Sequence, residues 1–353
     1  MPQPDAVRHC GCQPEAAPTA MHRRVSGPAR RHEKGPARRR LQRRMLSLAA
    51  GMLLALPATH AGPPAAEPGA ALSWRQWRGV LFRVVAPAPA TPSRDRPVSF
   101  LLGTLHFGSV EELHLDAELL QNAMRHTRLF IGEVPMSAPR SAQLDGHRRL
   151  PAQRNLRDLL GQAPFDALQR LLPQLPAAQL LHAKPWLALA LLESRGETVS
   201  EQTLDRQLAQ WAAREGLPAF HLETLAAQLQ ALDCVPAEEH AQVLRQRLAM
   251  PWLFEEQAQR VLEYYRAGDL PAWLDEIDAM TGLDAQARPI EQRARLCLIE
   301  ARNALWMDQL DPLLRAGSAF VAVGAIHLTG EAGLLASLHQ RGFSIVAEPL
   351  PLQ

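Results

Sequence analysis

The sequence predicts an α/β fold in which two related sheet halves flank a large helical middle. Three observations point there. Residues 97–135 read as strand, turn, helix, strand. Residues 318–350 read as strand, helix, strand, and their first strand ends like the one at 97–106. Between them lies a long stretch whose apolar residues recur mainly at helical spacing.

In chain order, GVLFRVVA (79–86) and PVSFLLGTLH (97–106) read as strands joined by the Pro-rich loop PAPATPSRDR, an arrangement suited to a hairpin. A helix is expected within 110–128, where Leu115, Leu119, Leu120 and Ala123 share a face. LFIGEVP (129–135) is a short buried strand. Helices follow at 155–161, 165–175, 184–195 and 203–216. In the last, Leu204, Leu208, Trp211 and Ala212 align and Gly216 is the stop. PAFHLET (218–224) is a strand, and helix resumes over 225–232, 237–266 and 290–315. The chain closes with a strand at 318–327, a helix at 330–342 and a strand at 343–350. The domain is thus expected over 76–350, divided into 76–135, a helical middle at 136–315, and 316–350.

The residues before it have another character. A basic stretch at 21–44 precedes the apolar run LSLAAGMLLALPA (46–58), short for a bilayer span but suited to a secretory signal. Small residues follow, with Ala61 the first choice for cleavage and Ala58 the second. Residues 1–61 are therefore read as a leader and 62–75 as a flexible lead-in, which predicts a periplasmic or secreted protein with no stable transmembrane anchor after cleavage. Arg43 and Arg44 before the apolar run leave a twin-arginine route open beside the general secretory one. The leader holds 11 Lys and Arg against three acidic residues, a net +8. The whole chain is +2, so the remainder is about −6 and gives no support to nucleic-acid binding. Outside the leader the cysteines are Cys234 and Cys297, candidates for a disulfide in an exported protein or for two buried thiols.

The strands LLGTLHFGS (101–109) and AVGAIHLTG (322–330) both end in Gly-x-x-His. Gly103 and Gly324 allow a tight turn or close backbone approach, and His106 and His327 follow three residues later. Ligands of open α/β sheets gather beyond the carboxyl ends of strands, so both imidazoles are placed to face one cleft. Neutral imidazoles bind divalent metals through one nitrogen while the other is oriented by a partner. Glu133 ends its strand where a third ligand or a general base would serve, and Glu223 ends another in the same way. The alternatives are plain: histidines that cap strands, and glutamates paired with arginines or, for Glu223, capping the next helix. Ser109 lies near His106, but G-x-S-x-G is absent, as are H-E-x-x-H, a dinucleotide fingerprint and a P-loop. His221 reads as structural, and His114, His126 and His339 as helix residues without metal spacing.

The stretches LFRV…FLLGTLHFGS, FIGEV, KPWLALALL, TLDRQLAQWAAREGLPAFHLET and, above all, IEARNALWMDQLDPLLRAGSAFVAVGAIHLTGEAGLLASLHQRGFSI resemble the TraB/GumN family, which is related to the Tiki metalloproteases. The likeness covers roughly 76–350. It implies a Tiki/TraB-like core of two related sheet halves, with the paired glycine–histidine motifs at Gly103/His106 and Gly324/His327, the acidic site position at Glu133, and an Arg-Asn signature at Arg302 and Asn303. It further implies a divalent ion, manganese or cobalt before zinc, and peptide hydrolysis. Arg302 would then hold a substrate carboxylate or the charge developing on the carbonyl. The rival expectations are hydrolysis of a non-peptide ester or amide from the cell envelope, and a non-catalytic periplasmic binding or regulatory protein.

Overall fold

The computed structural model describes residues 73–88, 96–135, 141–194 and 203–349. The leader, most of the lead-in and the end of the chain lie outside the described residues. Among those described, no helix is long and apolar enough to cross a membrane.

One mixed sheet of six strands organises the domain: β1 (Leu81–Val85), β2 (Val98–Thr104), β3 (Leu129–Gly132), β4 (Ala219–His221), β5 (Ala319–Gly324) and β6 (Ser344–Ala347), in the spatial order β4-β3-β5-β2-β1-β6. The expected hairpin is β1 against β2, with β6 antiparallel on the far side of β1. The other pairings are parallel: β2 with β5, β5 with β3, and β3 with β4. Strands from the two ends of the chain interleave in this sheet. The reason is visible in β5, AFVAVG, which is buried at every position. A continuous apolar run is what a strand covered on both faces requires, and such a strand belongs between neighbours rather than at an edge. The mixed α/β class is therefore as expected, with the helices added to a six-stranded core.

The helical middle is not a single insertion. Leu150, Leu156, Phe165, Leu168, Leu189, Leu244 and Ile290 belong to a core of their own. The helix Leu204–Arg214, by contrast, buries Leu204, Leu208 and Ala212 in the sheet's core, and β4 follows it directly. The chain thus leaves the sheet, returns for this helix and β4, and leaves again.

Several element boundaries differ from the sequence reading for local reasons. The helix expected within 110–128 runs only over Ala117–Arg125, because the Asp116 side chain accepts the Leu119 N–H at 2.9 Å and caps it. His114, read as helical, instead sits in a left-handed turn at φ 58°. The strand expected to reach 327 stops at Gly324 and gives way to a 3-10 turn, Ala325–His327. The helix expected over 237–266 is broken into Ala237–Leu248 and Trp252–Ala267 at Pro251, where a ring nitrogen without N–H ends the ladder. The helix expected over 290–315 contains a π turn, Leu296–Glu300, in which the Ala301 N–H reaches back five residues to the Leu296 carbonyl.

Cys234 and Cys297 are joined in a disulfide with Cα atoms 6.5 Å apart, and Cys297 lies inside that π turn. The bond ties the turn to the segment entering the helix Ala237–Leu248. Reducing it, or replacing both cysteines with serine, is expected to cost about 2–5 kcal/mol of unfolding free energy. Urea unfolding with and without reductant reads this directly, and an unchanged midpoint would show that the bond constrains little.

Candidate functional site

The parallel strands all point their carboxyl ends the same way, and the residues singled out from sequence follow those ends: His106 after β2, His327 after β5, Glu133 after β3 and Glu223 after β4. Register sets their spacing. Gly103 lies opposite Val323 and Thr104 opposite Gly324, so the two Gly-x-x-His motifs stand side by side with an offset of one residue. Beyond β3 and β4 the pairing continues, with Leu222 N–H on the Gly132 carbonyl and Glu223 N–H on the Glu133 carbonyl, both at 3.0 Å.

The two glycines do different things, and neither adopts positive φ. A methyl on Gly103 would lie 2.8 Å from the Ala325 backbone, so this glycine lets the turn carrying His327 press against β2. A methyl on Gly324 would lie 3.3 Å from both Glu133 Oε1 and His106 Nε2, and 3.5 Å from the His327 ring. Two imidazoles and a carboxylate therefore converge on one point, kept open by a missing Cβ.

Arg302 fills the centre of this group. It is 5% exposed. Its Nη2 donates to Glu133 Oε2 at 2.7 Å and to Glu223 Oε1 at 2.6 Å, and its Nε donates to Glu223 at 3.1 Å. Nη1 donates to the Leu298 carbonyl and to His327 Nε2, each at 3.0 Å. The five guanidinium N–H groups are thereby engaged, and Arg302 neutralises the site's own carboxylates. The π turn brings the Leu298 carbonyl under Nη1, and the guanidinium lies 4.5 Å over the Trp306 ring. Glu133 is equally committed. Its Oε1 accepts the Gly324 N–H at 2.7 Å, and its Oε2 also accepts from Gln228 at 3.0 Å.

The two histidines have opposite surroundings. His327 is 2% exposed and packs 4.4 Å from the Trp306 ring. Asn303 donates through Nδ2 to the carbonyls of His327 and Ala332, which leaves Oδ1 as an acceptor, 2.7 Å from His327 Nδ1. Nδ1 therefore carries the proton, and Nε2 presents its lone pair to Arg302. The side chain of His106 is 62% exposed, with Nδ1 3.2 Å from Asp205 Oδ2.

Charge follows environment. Burial pushes the His327 pKa down, and Arg302 and His106 push it further against the pull of Glu133, to about 3. For His106, loss of hydration is the largest single influence and works downward, but the Asp205 hydrogen bond and charge, with Glu133 behind, together outweigh it and raise the pKa to about 9. Burial would raise Glu133, yet His106, His327, Arg302 and the Gly324 N–H hold it at about 2. Burial opposes the Arg302 charge, and Glu133 and Glu223 more than restore it.

Of the remaining expected residues, Ser109 caps a turn by accepting the Glu112 N–H at 3.1 Å. Cys234 and Cys297 are structural. Asp205 and Gln228 are site residues that sequence reasoning missed. An acidic residue in the first turn of a helix reads as a helix-end charge, and a glutamine on a helix carries no signal.

The residues suit a divalent cation in part. Each imidazole has its Nδ1 anchored, which frees Nε2 for a ligand role. Glu133, Glu223 and Asp205 set three carboxyl groups around the site, two of them paired with the permanent cation Arg302. Among the described residues, however, no group of three or more His, Cys, Asp or Glu side chains stands ready to hold a metal. Arg302 Nη1 lies on the lone pair of His327 that a metal would need. The donor types fit a divalent ion, and His327 would join them only if Arg302 released its Nε2.

An α/β protein with a His–Glu–Arg centre at the carboxyl edge of its parallel strands is thus defined. The TraB/PrgY/gumN family profile matches residues 91–347, and the chain belongs to that family. No curated protein matches the chain.

Two measurements check the electrostatics. Glu133 contributes stability that is present above its ordinary value of 4.5 and lost as the pH falls toward about 2. His327, held near 3 against an ordinary 6.5, likewise makes the fold lose stability as the pH falls from 6.5. His106 has the opposite sign: its contribution is full below 6.5 and lost as the pH rises through about 9. NMR titration of the metal-free protein should find the two rings titrating on opposite sides of neutrality, and H327N should flatten the acid limb of the urea-midpoint profile. Coincident titrations would contradict this geometry. Separately, R302M strands two buried carboxylates and is expected to cost about 3–5 kcal/mol. Adding E223Q should recover part of that loss in a double-mutant cycle, and simple additivity would show that the pair is uncoupled.

Proposed function

We propose that this protein is an exported hydrolase that uses a divalent metal ion, with peptide bonds the first substrate class. The observation that carries the reading is the convergence of His106 Nε2, Glu133 Oε1 and the His327 ring on the space a Cβ at Gly324 would take. His106 and His327 would hold the ion through their Nε2 atoms, with Glu133 the third donor. Manganese or cobalt is the first choice and zinc the second. A divalent ion in such a setting supplies Lewis acidity toward a carbonyl and makes water nucleophilic at neutral pH.

The protein's own groups divide the remaining work. Glu133, at about 2, is too weak a base to take a proton near neutrality, which favours the ligand role over the general-base role. Arg302, 5% exposed between Glu133 and Glu223, fixes both carboxylates and keeps their charge compensated in a dry setting. His106, on the exposed side, marks where substrate enters. Export is supported by the leader-like residues 1–61 and by the Cys234–Cys297 disulfide, which suits an oxidising compartment.

One observation favours a second reading. Arg302 already satisfies Glu133 and His327, so the centre can be stable without an ion, as a non-catalytic binding or regulatory protein would need. Metal analysis and calorimetry with Mn²⁺, Co²⁺ and Zn²⁺ separate the two. Wild type should bind one of these ions, and H106A and H327A should each lose it while retaining their far-UV circular dichroism. A peptide library, run beside envelope-type esters and amides with products identified by mass spectrometry, then names the bond. Absence of both binding and turnover would leave the second reading standing.

A further inference from the structure

Asp205 is a carboxylate beside the cleft that the reading above does not use. It is the second residue of the helix Leu204–Arg214, and its two oxygens are divided between two residues that end or follow β2. Oδ1 accepts from Thr104 Oγ1 at 2.7 Å, and Oδ2 faces His106 Nδ1 at 3.2 Å. Thr104 is 1% exposed and the Asp205 side chain 14%. The same helix start is stitched to the loop that carries His106 by two further bonds. Leu204 N–H donates to the Gly108 carbonyl at 2.9 Å, and Gln207 Oε1 accepts the Val110 N–H at 3.0 Å.

We infer that Asp205 is the positioning residue for His106, holding the ring so that Nε2 faces the point it shares with Glu133 and His327, and thereby setting the affinity of the cleft for a divalent cation. This rests on the metal-dependent reading of the same site. His327 has Trp306 and Asn303 to hold its ring. His106 lies on a loop with most of its side chain in solvent, and its orienting hydrogen bond is the one to Asp205. An exposed ion pair ordinarily contributes little because two mobile side chains must be ordered to form it. Here the carboxylate is ordered in advance, by the Thr104 hydroxyl and by its place in the first turn of a helix. A carboxylate on the distal nitrogen also strengthens the lone pair offered to a metal.

The test uses Co²⁺ alone on the purified protein, read by calorimetry and by the visible d–d absorbance of the bound ion. D205A is expected to bind about 10–100-fold more weakly than wild type. D205N keeps the shape but loses the charge, and should be weaker by about fivefold or more. In both, the bound-Co²⁺ spectrum should change, beyond the fall in the unfolding midpoint of the metal-free protein that loss of the Thr104 and His106 contacts brings. A purely structural role would lower the midpoint and leave the spectrum unchanged. Binding by D205A and D205N within about twofold of wild type, with an unchanged spectrum, overturns the inference and leaves the metal reading intact. If D205A does not fold, D205N decides by the same criterion. Failure of wild type to bind Co²⁺ overturns the metal reading, and the inference falls with it.

Discussion

The charges of Glu133, Glu223 and Arg302 are held out of water, and the architecture around them follows from that constraint. A buried ion loses several kcal/mol of hydration, and only close, complete pairing restores it. Completeness explains details that would otherwise look unconnected. The Gly324 N–H and Gln228 fill the remaining capacity of Glu133, the Leu298 carbonyl fills that of Arg302, and the π turn exists where that carbonyl is needed. Four parallel strands end together at this place, so four separate segments of the chain each deliver one charged or imidazole group without long loops.

Close approach is the second requirement, and glycine supplies it. β2 and β5 must be neighbours for the two motifs to meet, and the turn after β5 must fold back against β2. At Gly103 the Ala325 backbone takes the space a side chain would need, and at Gly324 the donors of the cleft do. The repeated glycine thus serves packing in one copy and the site in the other.

Much of this was legible in the sequence, because strand ends and apolar runs are local signals. The positions of His106, His327, Glu133 and Glu223 at the carboxyl ends follow from where apolar runs stop, and the structure brings all four to one edge of the sheet. What was not legible depends on contacts between distant segments. Asp205 is 99 residues from His106 and reads locally as a helix-end charge. Gln228 lies 95 residues from Glu133. The inward commitment of Arg302 could not be read from a helical position alone, since its direction depends on a π turn that apolar periodicity does not reveal. Likewise, two similar chain ends suggest two halves, whereas the strand order interleaves them in one sheet with β5 buried at every position.

Similarity of motif also conceals a division of labour. Sequence presents His106 and His327 as equivalents, three residues beyond a glycine at the end of a strand. Packing separates them. The His327 ring is walled by Trp306, its tautomer is fixed by Asn303, and Arg302 and burial keep it neutral. Solvent reaches His106, and Asp205 favours its charged form. A pair of imidazoles in identical settings would both be neutral or both be charged under the same conditions. This pair offers, at one pH, a neutral acceptor inside and a protonated ring at the entrance. On the proposed metal-dependent reading, an entering cation would have to displace a proton from His106 and a guanidinium contact from His327. Binding would then depend on both pH and the position of Arg302, a dependence that neither motif carries by itself.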